Sequence, residues 1–528
     1  MSRKSNRPVF KPYIMHQDQL LPPSYDELIE EGHLVRTVNQ AIETLDLNVL
    51  VAQYKGGGTS SYHPKMLLKV LVYAYTQQIY SSRKIAKALR ENIHFMWLSG
   101  GNQPDFRTIN DFRGSRMKDV IDAVFASVLE YLMAEGRVQL EHYFVDGTKI
   151  EADANKHKVV WARRKETYRK RVQEQIEELL EHIEQVNQAE QSEYGDKDLE
   201  ERGGEDGDLN SERLKQKIAE LNQRLREQQK PKADTREAEK ALKKLEEDCL
   251  PRLEKYEHQS ETLAGRSSYA QTDPDASCMR MKEDRGAEKP WPKPAYNVQI
   301  GTENQFIVGF SVHNRAGDTN CLIPHLEQVQ TNLGRLPQQI VGDAGYGSEE
   351  NYAFLEKHQA GNFLKYNTFY QDTHHYRDPE VLRAHQFRAE HFQYDAVTNQ
   401  FICPAEKRLE FVTTTKYKSD NGYESERHLY ECHACGDCPL KPQCTQAKGN
   451  RKIKISFQLL EYRRQARANL TSAKGEQLRA ARSTEVETVF GHLKHNQGFR
   501  RFHLRGMEKV KTEWGILSIA HNIRKLAA

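Results

Sequence analysis

Two aspartates stand where apolar strands end. Asp146 follows Tyr143, Phe144 and Val145 in "YFVDGTKIEADANK", and Asp343 closes the run "QQIVGDAGYG". A third acid, Glu487, lies in "ARSTEVETVFGHLKHNQGFRRFHLRG", beside a stripe of Val486, Phe490 and Leu493 at helical spacing. Glu485 points about 200° away around that helix, so the stripe selects Glu487. Lys494, seven residues on, is two turns along the same face and is placed to meet a phosphate; a plain salt-bridged helical surface is the alternative reading. Carboxylates held together repel and raise one another's proton affinity unless a cation lies between them. Magnesium takes hard oxygen ligands and keeps several waters, which leaves room for phosphate oxygens. Two such ions, Mg2+ or Mn2+, about 3.5 to 4 Å apart activate a water and stabilise the departing oxygen of a phosphodiester.

The elements around these acids decide whether they meet. From 291 the pattern is that of strands: "AYNVQIG" and "QFIVGFSVHN" flank a polar turn at "TEN". "DTNCLIPHLEQVQTNLG" reads as a helix capped by Asp318 or Thr319, "SEENYAFLEKHQ" as another helix, and "NFLKYN" as a short strand. With the strand of Asp146 in front, the order is strand, strand, strand, helix, strand, helix, strand. That is the succession of an α/β protein with a ribonuclease H-like mixed sheet, in which the first and fourth strands are neighbours. Asp146 and Asp343 then sit side by side. The remaining acids, Asp153, Asp273, Asp275 and Asp318, read as caps, turns or supporting groups.

Three further segments surround this core. Residues 63 to 131 read as helices, with Thr108 as an N-cap answered by Asp111 and a basic face at Arg83 and Lys84 in "SRKIAKALREN"; a helix-turn-helix DNA reader and a plain bundle both fit. Between 163 and 260, Val172, Ile176, Leu179, Ile183 and Val186, then Leu214, Ile218, Leu221 and Leu225, follow heptad steps. An antiparallel coiled-coil hairpin is expected there, with a third run, Leu242 to Tyr256, packed on it or extending it. Five of the eight cysteines crowd into 403 to 444, four of them in "CHACGDCPLKPQC". Cys403, Cys432, Cys435, Cys438 and Cys444 compete for the four places of a zinc knuckle, and an iron-sulfur cluster would use similar ligands.

Composition narrows the class. Of 528 residues, 37% are hydrophobic and 29% charged, and no run of 18 apolar residues or basic-then-apolar N-terminal segment occurs, which argues against membrane spanning and secretion. Net charge is only +3, yet residues 451 to 528 hold 17 Lys or Arg against 6 Glu and no Asp, as a polyanion-binding face requires. The expected organisation is an N-terminal helical DNA-binding domain over 1–135, the first core strand over 136–162, a coiled-coil insertion over 163–262, the core with Asp343 over 263–370, a Cys-rich insertion over 371–468, and the helices with Glu487 over 469–528.

Taken together, "VDGTKIEADANK", "VGDAGYGSEENY" and "VETVFGHLKHNQGFRRFHLRG", preceded by "HPKMLLKVLVYAY", "SSRKIAKAL" and "PDFRTINDFR", resemble the motif blocks of the DDE transposases of bacterial insertion sequences. The resemblance implies that Asp146, Asp343 and Glu487 hold two Mg2+ or Mn2+ ions in an enzyme that cuts DNA and joins it by in-line attack on phosphorus. It implies a Tyr, Arg, Glu, Lys signature, in which Arg482, Glu487 and Lys494 take three parts and Leu478 stands at the tyrosine. Arg500, Arg501 and Arg505 would neutralise backbone phosphates. The implied partners are transposon terminal inverted repeats and target DNA, bound by a homodimer in the bacterial cytoplasm at the nucleoid, with no membrane. A nuclease of the same core, or a catalytically silent DNA-binding derivative, is the alternative.

Overall fold

The computed structural model describes residues 23–54, 61–193, 210–227, 235–281, 283–286, 291–373, 380 and 385–528. A mixed sheet forms the centre, built from β1 (His142–Glu151), β2 (Lys293–Glu303), β3 (Phe306–His313), β4 (Gln339–Gly342), β5 (Gly361–Leu364) and the short strand Ser277–Met279. β1 pairs antiparallel with β2 and parallel with β4; β5 extends the parallel side, while β3 and Ser277–Met279 share the far edge of β2. Parallel neighbours need crossovers. Helices Leu322–Leu333 and Glu349–Lys357 supply them. β2 is buried along nearly its whole length, as expected of a strand covered on both faces. Glycines make room for this packing: a Cβ on Gly301 would lie 1.7 Å from the Tyr143 ring, so the Tyr143 ring occupies the space a larger residue would need.

Helix Met507–Leu526 runs through the interior. Its residues from Thr512 to Ile523 are all buried, and an apolar circumference of this kind belongs to a core helix. It packs against helix Pro64–Thr76 on one side and β3 on the other. Asn522 serves the edge of β3 as a strand would: its Oδ1 accepts from Ile307 N and its Nδ2 donates to Ile307 O, both at 2.8 Å. The N-terminal helices and the sheet therefore share one hydrophobic core, with no break at residue 135. Charge is buried at the same junction. Arg113 donates to Tyr80 O at 2.7 Å and Tyr75 Oη at 3.0 Å and lies 4.0 Å from Glu513, which accepts from His503 N at 2.9 Å and Leu504 N at 3.0 Å.

Several local expectations are corrected. Asp105, not Thr108, caps helix Phe106–Asp111, its Oδ1 accepting from Thr108 N at 2.7 Å. As expected, the heptad segments form helices, Ala162–Glu193 and Ser211–Glu227, and of the two expectations for the third run, Thr235–Lys244 continuing to Leu263, packing on the pair is the one observed. Val172, Ile176, Ile183, Leu214, Ile218, Leu221, Leu242, Leu245 and Leu253 fill one interior, so this is a three-stranded helical bundle. Its apolar stripe includes Leu180, with Leu179 at its margin; the side chains of Val186 and Leu225 and the acidic stretch before 210 lie outside the described residues. The Cys-rich segment carries a five-stranded antiparallel sheet of its own: β6 (Gln393–Asp395), β7 (Gln400–Ile402), β8 (Arg408–Lys418), β9 (Glu424–Glu431) and β10 (Lys452–Ile455).

Two outcomes follow for stability. Removing one partner of a buried ion pair strands the other, so Glu513→Ala is expected to destabilise by about 3–5 kcal/mol in denaturant titration; a change below 1 kcal/mol would show that Arg113 is not dependent on it. Burial depresses His325, which shares a 2.6 Å hydrogen bond with Tyr143, to about 3, and depresses His313 to about 4. Both bind protons more readily unfolded, where the ordinary value is 6.5, so stability present above 6.5 is lost as pH falls toward 4. Thermal melts of His325→Gln should show a shallower decline over that window.

Candidate active site

The position of Asp146 is set at the entrance to β1. Glu303, buried on β2, accepts the backbone N–H groups of Gln139, Leu140, Glu141 and His142 at 2.9, 2.7, 2.8 and 3.3 Å. That carboxylate holds the turn in which Leu140 takes a left-handed φ of 62°. The register aligns Val145 with Gly342, so the next residues, Asp146 and Asp343, are neighbours; Asp343 follows the end of β4, whereas Asp146, expected at a strand end, lies within β1 and stays paired with Ile300 of β2. Asp146 Oδ1 accepts from Gly147 N at 2.8 Å. Asp343 caps the turn Ala344–Tyr346 with Oδ1, accepting from Ala344 N at 2.8 Å. Gly147 is required by what lies behind it: a Cβ there would come within 2.2 Å of Gln299 Nε2 and 2.5 Å of Asp318 Oδ1. Asp318 does not cap its helix with its side chain; it accepts from Asn297 Nδ2 at 2.7 Å and Gln299 Nε2 at 3.0 Å. Gln299 in turn accepts from the Tyr346 hydroxyl, whose pKa is raised by burial and by the charges of Asp146 and Asp318.

The third acid arrives on a helix that is not a regular α-helix. Ala473–Arg482 passes into a π turn, Ser483–Glu487, and after Thr488–Gly491 a second π turn, His492–Asn496, follows. In an α-helix residues five apart diverge by about 140°, whereas i→i+5 closure brings them toward one side. Arg482 and Glu487 are such a pair, and Arg482 Nη1 donates to Glu487 Oε1 at 3.0 Å. The same guanidinium reaches the other acids: Nη2 lies 3.3 Å from Asp146 Oδ2 and 4.0 Å from Asp343 Oδ2. Asp146, Asp343 and Glu487 thus converge on one buried arginine, 9% exposed. Val486, Phe490 and Leu493 are buried as a stripe. Of the two glutamates, Glu485 turns into the protein, accepting from Gln305 N at 2.7 Å with its pKa raised by burial, and Glu487 is the exposed one.

The basic residues divide by their partners. Lys494 is buried: its ammonium pairs with Glu283 and donates to Thr148 Oγ1 at 3.1 Å, two residues beyond Asp146 on β1. It is a core contact here, not an open phosphate ligand. Arg500 donates to Lys494 O at 3.2 Å, while Arg501 and Arg505, both about half exposed, bracket Asp153 at 3.1 and 2.8 Å. Arg83 and Lys84 are exposed on helix Ser82–Glu91, with Arg83 stacked over Phe106. Arg83, Arg107, Arg505 and Lys509 line an open cleft of about 730 Å³ between the N-terminal helices and the loop after Phe502. Leu478 is buried.

All five cysteines, Cys403, Cys432, Cys435, Cys438 and Cys444, border one small cavity of about 20 Å³ at the ends of β7 and β9. Burial pushes the Cys432 thiol up to about 11. A group absent from the sequence reading is drawn tighter: Asp372, His385 and His391 offer ligand atoms all within 4.8 Å of one another.

The α/β core thus gathers three carboxylates, one within β1, one just after β4 and one on a C-terminal helix, around one cation. Comparisons supply the family. A model described as "Transposase DDE domain" matches residues 402–527, enclosing Arg482, Glu487, Lys494 and the five cysteines, and one described as "Transposase domain" matches residues 23–115. Two probable transposases for insertion sequence element ISH11, from two strains of Halobacterium salinarum, are each 26% identical over 137 residues, 26% of this chain and 41% of theirs. The chain thus spans about two fifths of the length of the curated relatives it matches. No solved structure matches it. Over these segments the chain is similar to transposases of insertion sequences.

The donor set is hard oxygen gathered around a cation, the chemistry that a divalent ion takes, and Arg482, standing among those oxygens, would compete for them. More than half of Asp343 and of Glu487 is exposed, so solvent screens these pairs. Arg482→Gln is expected to tighten Mg2+ binding roughly tenfold, about 1.4 kcal/mol, in calorimetric titration against an Asp146→Asn control. Unchanged affinity would show that the guanidinium and the ion do not share ligands.

Proposed function

We propose that this chain is the transposase of an insertion sequence, cutting DNA at the element's terminal inverted repeats and joining the freed ends to target DNA within a ribonuclease H-like core. The observation that carries the reading is the convergence of Asp146, Asp343 and Glu487 on Arg482. The sheet order, with β1 between antiparallel β2 and parallel β4, supports it. Those three acids would hold the Mg2+ or Mn2+ ions, which when bound supply the Lewis acidity for displacement at phosphorus.

The chain's own groups do the rest. Asp146 and Asp343 are oriented by backbone N–H groups, so each offers its other oxygen to the site. Arg482, released from the acids, lies within reach to balance charge on the scissile phosphate. Lys494 ties the catalytic helix to β1 through Thr148. Arg500, Arg501, Arg505, Arg83 and Lys84 contact the DNA backbone and give affinity without reading sequence. The cluster of Cys403, Cys432, Cys435, Cys438 and Cys444 holds one Zn2+ by four of its five thiolates, steadying the Cys-rich sheet. Two copies act together because two DNA ends must be held. No described helix is long and apolar enough to cross a membrane.

Incubating the full chain with oligonucleotides bearing the element's ends and Mg2+ should yield both cleaved and strand-transfer products. Asp146→Asn, Asp343→Asn and Glu487→Gln should each lower the rate by at least about 100-fold, ~3 kcal/mol. Cleavage without joining would favour a nuclease, and full activity in Asp343→Asn would remove it from the site.

A further inference from the structure

We propose that Asp372, His385 and His391 form a metal site separate from the three acids and from the cysteines, selective for a borderline ion of the zinc class. His385 Nε2 lies 3.3 Å and His391 Nε2 3.5 Å from the same oxygen, Asp372 Oδ1. Bonds of about 2.0–2.2 Å in a tetrahedron put neighbouring ligand atoms about 3.3–3.5 Å apart, so each nitrogen already has that spacing from the shared oxygen, and all three ligand atoms lie within 4.8 Å of one another. The second carboxylate oxygen is taken: Thr368 Oγ1 donates to Asp372 Oδ2 at 3.0 Å, which fixes the carboxylate plane as an outer partner does in metal centres. The two imidazoles lie with ring centroids 3.9 Å apart. Two charged rings at that distance repel, and a single shared ion resolves the repulsion with both rings neutral.

The ligand types select the ion. Imidazole nitrogens with one carboxylate suit Zn2+, Co2+ or Ni2+, whereas Mg2+ prefers oxygen throughout. Three protein ligands leave a fourth position for water. The location gives the ion a mechanical purpose. Helix Phe369–Thr373 follows the last core strand, and residues 389–391 lead into β6 of the Cys-rich sheet. Helix Phe457–Thr471, which returns from that sheet, touches both: Arg467 donates to Asp372 O and Arg463 pairs with Glu390, each at 3.0 Å. A bound ion would pin the outgoing and returning chain where the sheet joins the core.

The test is Co2+ titration of the chelator-stripped, full-length protein in excess Mg2+, which occupies the oxygen-only acids. Thiolate-bound cobalt gives an intense near-ultraviolet charge-transfer band; a His, His, Asp site gives only weak visible bands. The expected result is one equivalent of cobalt bound without the thiolate band, lost in His391→Gln and in Asp372→Asn, with the thiolate signal unchanged. Equal stoichiometry in wild type and both variants, or loss of the thiolate band instead, would overturn the proposal. Should circular dichroism show either variant unfolded, electron paramagnetic resonance of the wild type decides: two imidazole nitrogens coupled to the non-thiolate ion support the site, and none sinks it.

Discussion

Asp146, Asp343 and Glu487 carry like charge and stand 197 and 144 residues apart along the chain, so their meeting must be offset by a cation, and Arg482 provides one from within the chain. Everything near the site serves that meeting. The parallel pairing of β1 with β4 sets Asp146, within β1, beside Asp343, just past the end of β4, and Glu303 holds the turn that leads into β1. The guanidinium acts as a tethered counterion that preserves the arrangement without an added ion, yet it contacts the acids through exchangeable ion pairs. Partial exposure of Asp343 and Glu487 keeps those pairs weak enough to open.

The helix that delivers Glu487 shows why spacing alone can mislead. A strict 3.6-residue period puts Arg482 and Glu487 on different sides and Lys494 two turns from Glu487 on one side. The π turns at 483–487 and 492–496 shift both relations, so Arg482 faces Glu487 while Lys494 turns under β1. π turns inside α-helices recur at functional sites because they redirect side chains without breaking the helix.

Much of the core was legible because its signals are local. The apolar run ending in Asp343 marked a strand end, the run before Asp146 marked a strand that in fact continues to Glu151, and the stripe of Val486, Phe490 and Leu493 marked a buried helix face. What depended on distant packing was not. Nothing near Arg482 announces three acidic partners, and nothing near Lys494 announces Thr148 and Glu283. The β8–β9 hairpin was overshadowed by the cysteines beside it, although "RLEFVTTTKYK" and "ESERHLYE" carry strand-forming residues. Asp372, His385 and His391 have no motif spacing and meet only through the fold. The third helical run joined the coil because Leu242, Leu245 and Leu253 needed an apolar neighbour.

The pairing of Arg113 with Glu513 joins residues 400 positions apart, and Asn522 completes the edge of β3 from 215 positions away. During synthesis the ribosome delivers the early helices long before either contact exists. The nascent polypeptide therefore leaves the strand edge bare and the arginine without its acid until translation has passed these positions. In such an order the assembly of the catalytic pocket waits on the helix that carries Glu513 and Asn522.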